Sequence, residues 1–294
     1  MTTATNAARP KVDWLSPTTI GFLLVKTLGV LGIVLHATGV IDASWRDYLL
    51  GFILWRVRAL AVAGGLHRYF SHRTYELRFQ RFSQFVLGAI CCTAMQKGPL
   101  WWAAEHRDHH RNSDEPIDKH SPTQHGFAYA QWGWFLSRWP KLDYKKKIPD
   151  FAKFPELMWL ERLQIVPFAL LGLACYLYGG WSCLLISFFL STAVLGEATS
   201  TINTLAHLWG KRPYQTKDTS RNSFLLALLV GGEGWHNNHH HEKWWMFQGE
   251  KWWQVDTTGY LIWTLQWFGI TKNIKMRSKR MQIRLTAAPV RELA

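Results

Sequence analysis

Tyr48-Leu49-Leu50-Gly51-Phe52-Ile53-Leu54-Trp55-Arg56-Val57-Arg58-Ala59-Leu60-Ala61-Val62-Ala63-Gly64-Gly65-Leu66 runs without a break into His67-Arg68-Tyr69-Phe70-Ser71-His72. The apolar part is long enough to be a helix crossing a bilayer core of about 30 Å. Two imidazoles close it. Working outward, Ile20–Val40 is a second run of span length, interrupted only by Lys26 and His36, and a short turn around Asp42 and Trp45 joins the two. Further along, Ile165–Tyr178 and the stretch from Trp181 form another apolar pair on either side of Gly179-Gly180. Phe79–Met95 is a fifth apolar stretch, opened by Arg78 and Arg81, and reads as lying along the interface. The expected fold is therefore all-α and integral to a membrane: four transmembrane helices in two hairpins, at about 20–40, 48–66, 165–178 and 181–206. A helical cap is expected over about 67–162 and 207–271, completing a membrane domain at 17–271. A polar segment, 1–16, precedes it, and a basic tail, 272–294, follows.

Charge gives the sidedness. The 294 residues carry a formal net charge of +14, with 34 Lys and Arg against 20 Asp and Glu. Eleven of the cations fall between Lys97 and Arg162 and thirteen follow His207, while the hairpin turns hold one, Arg46. Positive residues stay on the cytoplasmic side, so both termini and the cap are expected there. The charge is thus a sidedness signal rather than a nucleic-acid footprint, and no zinc finger, RNP motif or basic helix accompanies it. The four cysteines lie in or beside apolar runs without CxxC spacing, which excludes a disulfide framework and a zinc ribbon. The 18 tryptophans suit a chain with much interface, where one edge of the ring is apolar and the other wet.

Of thirteen histidines, eight fall into three compact groups: His67 and His72; His106, His109 and His110; His236, His239 and His240. Residues at i, i+3 and i+4 share a helix face, so each of the last two groups aims three rings at one volume. His207 ends the fourth span, with Asn203 on the same face one turn earlier. His67 and His72 do not match helical phase, and the helix is expected to end between them. Nine imidazoles exceed the needs of one ion, and two metals are the natural count. Glu-x-x-His pairs of the soluble di-iron carboxylate kind are absent save Glu233-Gly-Trp-His236, and there is no HExxH, so all-histidine ligation at the membrane face points to redox iron.

The order HxxxxH, HxxHH, HxxHH on a four-span chain resembles the integral-membrane fatty acid desaturases. Gly65-Leu66-His67-Arg68, Ser71-His72-Arg73, Asp218-Thr219-Ser220-Arg221-Asn222 and Gly232 through His240 are especially similar to the Δ9, stearoyl-CoA desaturase-like branch. The similarity covers about Trp45 to Ile270. It implies two iron ions held by His67, His72, His106, His109, His110, His207, His236, His239 and His240, with Asn203 reaching the second iron through water. It implies O2-dependent introduction of a cis double bond, Δ9 by the branch, into a long saturated acyl chain. Removing hydrogen from an unactivated methylene is beyond any side-chain base, so the hard step belongs to an oxygen-activated metal. A hydroxylase of the same metal class and, more distantly, a histidine-rich metal transporter are the competing readings.

The chain holds no Rossmann fingerprint, no CxxCH haem site and no iron–sulfur cysteine set, so electrons are expected from a separate donor, cytochrome b5 or a ferredoxin. Lys145, Lys146 and Lys147 are the candidate face for an acidic donor. Around the head group, Ala104-Glu105 stands where the acyl-CoA branch has Arg-Asp, and Arg138-Trp139 where it has Arg-Lys; Gln96-Lys97-Gly98-Pro99 is similar to the Gln-His-Gly-Pro of enzymes that also use lipid-linked chains. Acyl-CoA is kept as the favoured carrier, with Arg138 as the head-group cation and a lipid-linked chain as the alternative. Glu233, Glu105 and Asp108 are candidates to orient ligand imidazoles, which need an acceptor on their other nitrogen. Asp114, Glu115 and Asp118 are expected near His120 and His125. Trp101, Trp102, Trp132 and Trp134, with the second and fourth spans, are expected to wall an acyl tunnel. A charge inside a span needs a partner. Arg58 lies nine residues before His67 and Glu197 ten before His207, or about 13.5 and 15 Å along a helix, so the two are expected to pair.

Overall fold

A computed structural model describes residues 9–277. Residues 1–8 and 278–294, and with them most of the expected basic tail and both extreme termini, lie outside the described residues.

Three stretches are long and apolar enough to cross a membrane: Pro17–Ala37, Trp45–Ser71 and Ile165–Leu208, the last 44 residues long. Helix α1, Pro17–Ala37, starts three residues earlier than hydropathy alone places it, because Ser16 caps it by accepting from the amide of Thr19 at 3.1 Å and Pro17 suits the first turn. It ends at Thr38, before Gly39 at φ 73°. Helix α2, Trp45–Ala61, opens with a capping box of Ser44 and Asp47, and passes without interruption into a π-helical segment, Val62–Ser71.

The 44-residue stretch contains both remaining expected spans. Gly179 (φ −143°, ψ 21°) and Gly180 (φ 63°, ψ −149°) break the helix α3, Ile165–Ser182, between them. On either side, the rings of Phe168 and Phe188 stand 4.6 Å apart, Gly172 faces the Phe188 ring, and Cys175 lies beside Cys183. Those pairings run in opposite directions along the chain, so the two arms lie antiparallel. The second arm is π-helical over Cys183–Leu190 and α-helical over Ser191–Asn203 (α4). It forms the centre of the bundle: a Cβ on Gly29 or Gly32 of α1 would come within 3.0 Å of Leu190 or 2.8 Å of Leu185, and one on Gly51 of α2 within 3.2 Å of Ser187. Small residues let helices in an apolar surrounding approach this closely.

The remaining described elements fall mostly in the stretches expected to form the cap. An amphipathic helix, Gln80–Cys92, leaves Phe82, Phe85, Val86 and Ile90 exposed and turns Gln84, Gly88, Cys91 and Cys92 inward. The helix Pro99–Asn112 carries the second histidine group and the short helix His236–His241 the third, while Thr257–Trp267 packs against the π-helical Val62–Ser71, its Thr258 and Ile262 beside Gly64. The chain is not wholly α. Glu76–Leu77 and Thr271–Lys272 pair antiparallel, Glu76 opposite Lys272, and beyond them Lys275 exchanges backbone hydrogen bonds with Thr74 and Met246. Lys272–Arg277, assigned by charge to the tail, is therefore packed against the cap.

Arg58 and Glu197 do not pair. Arg58 is fully buried and donates to Leu54 O, Thr93 O, Ser191 Oγ and Thr192 Oγ1, at 3.0, 3.3, 2.5 and 2.6 Å. Glu197 binds Lys26 of α1 and accepts from Gln131 and Trp132. Equal depth along two helices does not fix their rotation, and both helices contain irregular turns that shift it: π-winding after Ala61, and a break at Thr204 (φ −112°, ψ −73°).

Candidate metal centre

The nine histidines converge as two groups. One nitrogen from each of His67, His72, His106, His110 and His239 lies within 4.8 Å of the others, and the same holds for His109, His207, His236 and His240. Each element contributes for a local reason. In the π-helical turn the amide of His72 donates to the carbonyl of His67 at 3.2 Å, so residues five apart are stacked and their ring centroids stand 4.8 Å apart. The helix ends at Ser71, between the two histidines as expected, and its last turn is a widened one. Helix Pro99–Asn112 splits its histidines: His106 and His110 face one group, His109 the other. The third box is held by side chains, with Asn222 Oδ1 accepting from the amides of Asn237 and Asn238 at 2.9 and 3.2 Å and Asn222 Nδ2 donating to Asn238 Oδ1. Its approach needs glycine at 232, where φ is 113° and a Cβ would collide with Asp256. His207 follows the break at Thr204, so Asn203 and His207 are not on one continuous helix; Asn203 lines the cavity described below.

Carboxylates hold the rings from outside. With the proton on Nδ1, His109 donates to Asp118 at 3.0 Å, His207 to Asp114 at 3.0 Å and His240 to Asp218 at 2.7 Å. His67 contacts Glu233, whose other oxygen accepts from Arg68 at 2.9 Å. Of the expected orienting residues, Glu233 meets an imidazole. Glu105 instead pairs with Lys119 at 2.6 Å, and Asp108 with Arg111 and with Lys147 at 2.7 Å. Asp114 and Asp118 serve His207 and His109; Asp118 is also 3.9 Å from His120, and its carbonyl meets His125 at 2.8 Å. Asp218 and Gln248, which lies 3.3 Å from His67 Nδ1, were not anticipated.

Burial, reinforced by the surrounding imidazoles, holds His72, His106, His110, His236 and His239 well below the usual histidine range, so these rings are neutral. Burial takes His240 down to about 4 although Asp218 pulls the other way. Burial alone would raise Asp114, Asp118 and Asp218, but hydrogen bonds and charge from His207, His109 and His240 outweigh it and keep all three ionised.

The donor set fits metal ions. The Nε2 atoms of His67 and His239, His72 and His106, His106 and His110, and His110 and His239 are 2.9, 2.8, 3.0 and 2.9 Å apart, and those of His207 and His236 3.1 Å. Nitrogens about 2.1 Å from one ion, at right angles, would stand about 3 Å apart. Neutral rings that keep their proton outward turn lone pairs inward, and those repel unless a cation lies between them. His240 Nε2 is buried without a hydrogen-bond partner among the described residues.

A cavity of about 520 Å³ reaches this centre at His106 and runs down between α1 and α4. Trp101, Trp102 and Trp134 line its upper part and Val25, Phe168 and Ala193 its depth. Its size suits a single small-molecule or acyl ligand. Helix α1, not α2, forms the wall opposite α4, and Trp132 turns away to donate to Glu197. Arg138 is on the surface, paired with Asp13 at 2.9 Å, and Lys145 and Lys146 sit on an exposed turn capped by Asp143.

Long apolar helices ending in two converging imidazole sets beside an apolar cavity give a site suited to holding metal next to an apolar ligand. The fatty acid desaturase family profile matches residues 43–248, and the chain belongs to that family. It is 33% identical over 253 residues to the sn-2 palmitoyl-lipid 9-desaturase of Nostoc sp. (strain 36), covering 82% of this chain and 87% of that one. It is 31% identical over 286 residues to the sn-1 stearoyl-lipid 9-desaturase of Anabaena variabilis, covering 95% and 100%. To the acyl-CoA C20 Delta5-desaturase of Anemone leveillei it is 30% identical over 270 residues, covering 90% and 84%.

Proposed function

We propose that this chain introduces a cis double bond, Δ9, into a long saturated acyl chain, using O2 and electrons from a separate protein. Two irons are assigned, one to His67, His72, His106, His110 and His239, the other to His109, His207, His236 and His240 with Asn203 reaching it through water. When bound, the iron pair supplies the O2-derived oxidising power that removes two hydrogens from adjacent methylenes. The residues of the chain do the rest. The five- and four-imidazole sets hold the ions, and the outer carboxylates orient the rings of His67, His109, His207 and His240 by accepting at Nδ1. Trp102 and the cavity walls present one stretch of the acyl chain to the centre and exclude water. Sidedness follows the positive-inside pattern: four crossings in two hairpins, with cap and termini cytoplasmic.

A single observation carries the reading: nine imidazoles divided five and four at the head of an apolar cavity. The test is the fatty acid profile, by gas chromatography–mass spectrometry, of a desaturase-deficient host expressing wild type beside His106→Ala. New double bonds in the wild type alone are expected; a new alcohol would assign a hydroxylase instead. For the carrier, a lipid-linked chain gains support over acyl-CoA from the engagement of Arg138, the expected head-group cation, by Asp13.

A further inference from the structure

A second cavity, of about 350 Å³, opens on the other side of the five-histidine group. His72 and His110 form its floor, whereas the acyl cavity meets the same group through His106. The wall holds five cations, Arg73, Arg107, Arg111, Lys243 and Lys275, against two carboxylates, Asp150 and Glu76. Asp150 is held by Arg73 and Arg107, and Glu76 lies by Lys272, while Lys243 and Lys275 form no ion pair among the described residues. Both flank Trp244, which is 53% exposed, with their ammonium groups 5.2 and 5.6 Å from its ring. An exposed aromatic ringed by cations over a half-covered imidazole is a surface for an acidic protein that must bring something to the metal group.

Resting on the desaturase reading, we propose that the Lys243–Trp244–Lys275 face docks the acidic one-electron redox protein that reduces this enzyme, and that electrons enter through His72 and His110. Each transfer oxidises the donor's reduced centre by one electron and reduces the metal pair by one. Two transfers, two protons from water and one O2 balance the removal of two hydrogens from the acyl chain, giving the alkene and two waters. Substrate and electrons thus reach one histidine group from opposite sides. The Lys145–Lys147 turn, which charge alone nominates, opens onto neither cavity.

The test uses the full-length, metal-loaded enzyme in lipid nanodiscs. A plant-type ferredoxin and a soluble cytochrome b5 domain serve as probes, and Lys243→Glu/Lys275→Glu is compared with Lys145→Glu/Lys146→Glu. Affinity of whichever probe binds wild type, its salt dependence and the stopped-flow rate of donor oxidation are read separately from product formed after chemical reduction. For Lys243→Glu/Lys275→Glu the expected result is at least tenfold weaker binding, a shallower salt dependence and slower donor oxidation, with metal content and chemically driven product unchanged. Equal binding by the two double variants, a larger loss in Lys145→Glu/Lys146→Glu, binding of neither probe to wild type, or a raised KM for the acyl substrate alone would overturn the proposal. Chemically driven product keeps the desaturase reading standing in each of those cases; its absence from wild type would sink that reading itself.

Discussion

His67 and His72 are joined by a hydrogen bond from the amide of the second to the carbonyl of the first, and this one wide turn brings both rings to the same metal group. Ser71 Oγ adds a second hydrogen bond across the same turn, to the carbonyl of Leu66 at 2.7 Å in a fully buried setting. Ser71→Ala removes it. A buried hydrogen bond contributes about 0.5–1.5 kcal/mol, so a lower thermal unfolding temperature and fewer metal ions per chain are expected. Unchanged values for both would show that the turn does not depend on the hydroxyl.

The outer carboxylates are divided unequally between the two groups. Asp114, Asp118 and Asp218 all serve the four-histidine group, and Glu233 serves the five-histidine group. Removing such a partner typically lowers metal affinity about 10–100-fold. Asp218→Asn is therefore expected to release one ion first during a chelator titration, while Glu233→Gln loosens the other. Elemental analysis along the titration reads this, and simultaneous loss of both ions in either variant would show the groups to be coupled.

Gly196 borders the acyl cavity, and a Cβ placed on it meets no atom within 4 Å. Gly196→Leu should fill space rather than strain the helix. The product spectrum is expected to move toward shorter acyl chains with overall expression unchanged. An identical chain-length profile would place the methyl end of the substrate elsewhere.

Asp150 sits between Arg107, at 2.9 Å, and Arg73, at 3.1 Å. Burial would raise its carboxyl, but the hydrogen bonds and charge of Arg107 and then Arg73 outweigh that and hold it below the usual carboxylate value. A depressed folded-state value contributes stability that is full above the unfolded value of about 3.9 and is lost as pH falls through the folded one. The difference in unfolding temperature between wild type and Asp150→Asn should therefore be constant above about pH 5 and shrink below about pH 4. A difference that grows on acidification would reverse the sign assigned to this pair.

Local patterns were legible and remote ones were not. The i, i+3, i+4 spacing of His106, His109 and His110 and of His236, His239 and His240 marks six imidazoles as belonging to the site, but neither box fills one volume: His109 and His239 each turn to the other group. The relation of His67 to His72 was hidden because five-residue spacing suits only a π-helical turn, which hydropathy does not reveal. Glu233 was accessible as an orienting group since it stands in the same segment as the third box. Asp114 and His207 are 93 residues apart, and only tertiary packing against the end of the Ile165–Leu208 stretch brings them together. Arg58 shows the limit of depth as a guide: two hydroxyls, Ser191 and Thr192, satisfy it where a carboxylate was expected.

The five-and-four division also governs how the enzyme can be made. His239 belongs to one set and His236 and His240 to the other, so neither cage can close until the ribosome has passed residue 240. Every long apolar stretch has been synthesised by then. Loading with metal is consequently a late event in biogenesis, and a chain that stalls before the third box leaves its earlier imidazoles without a completed cage.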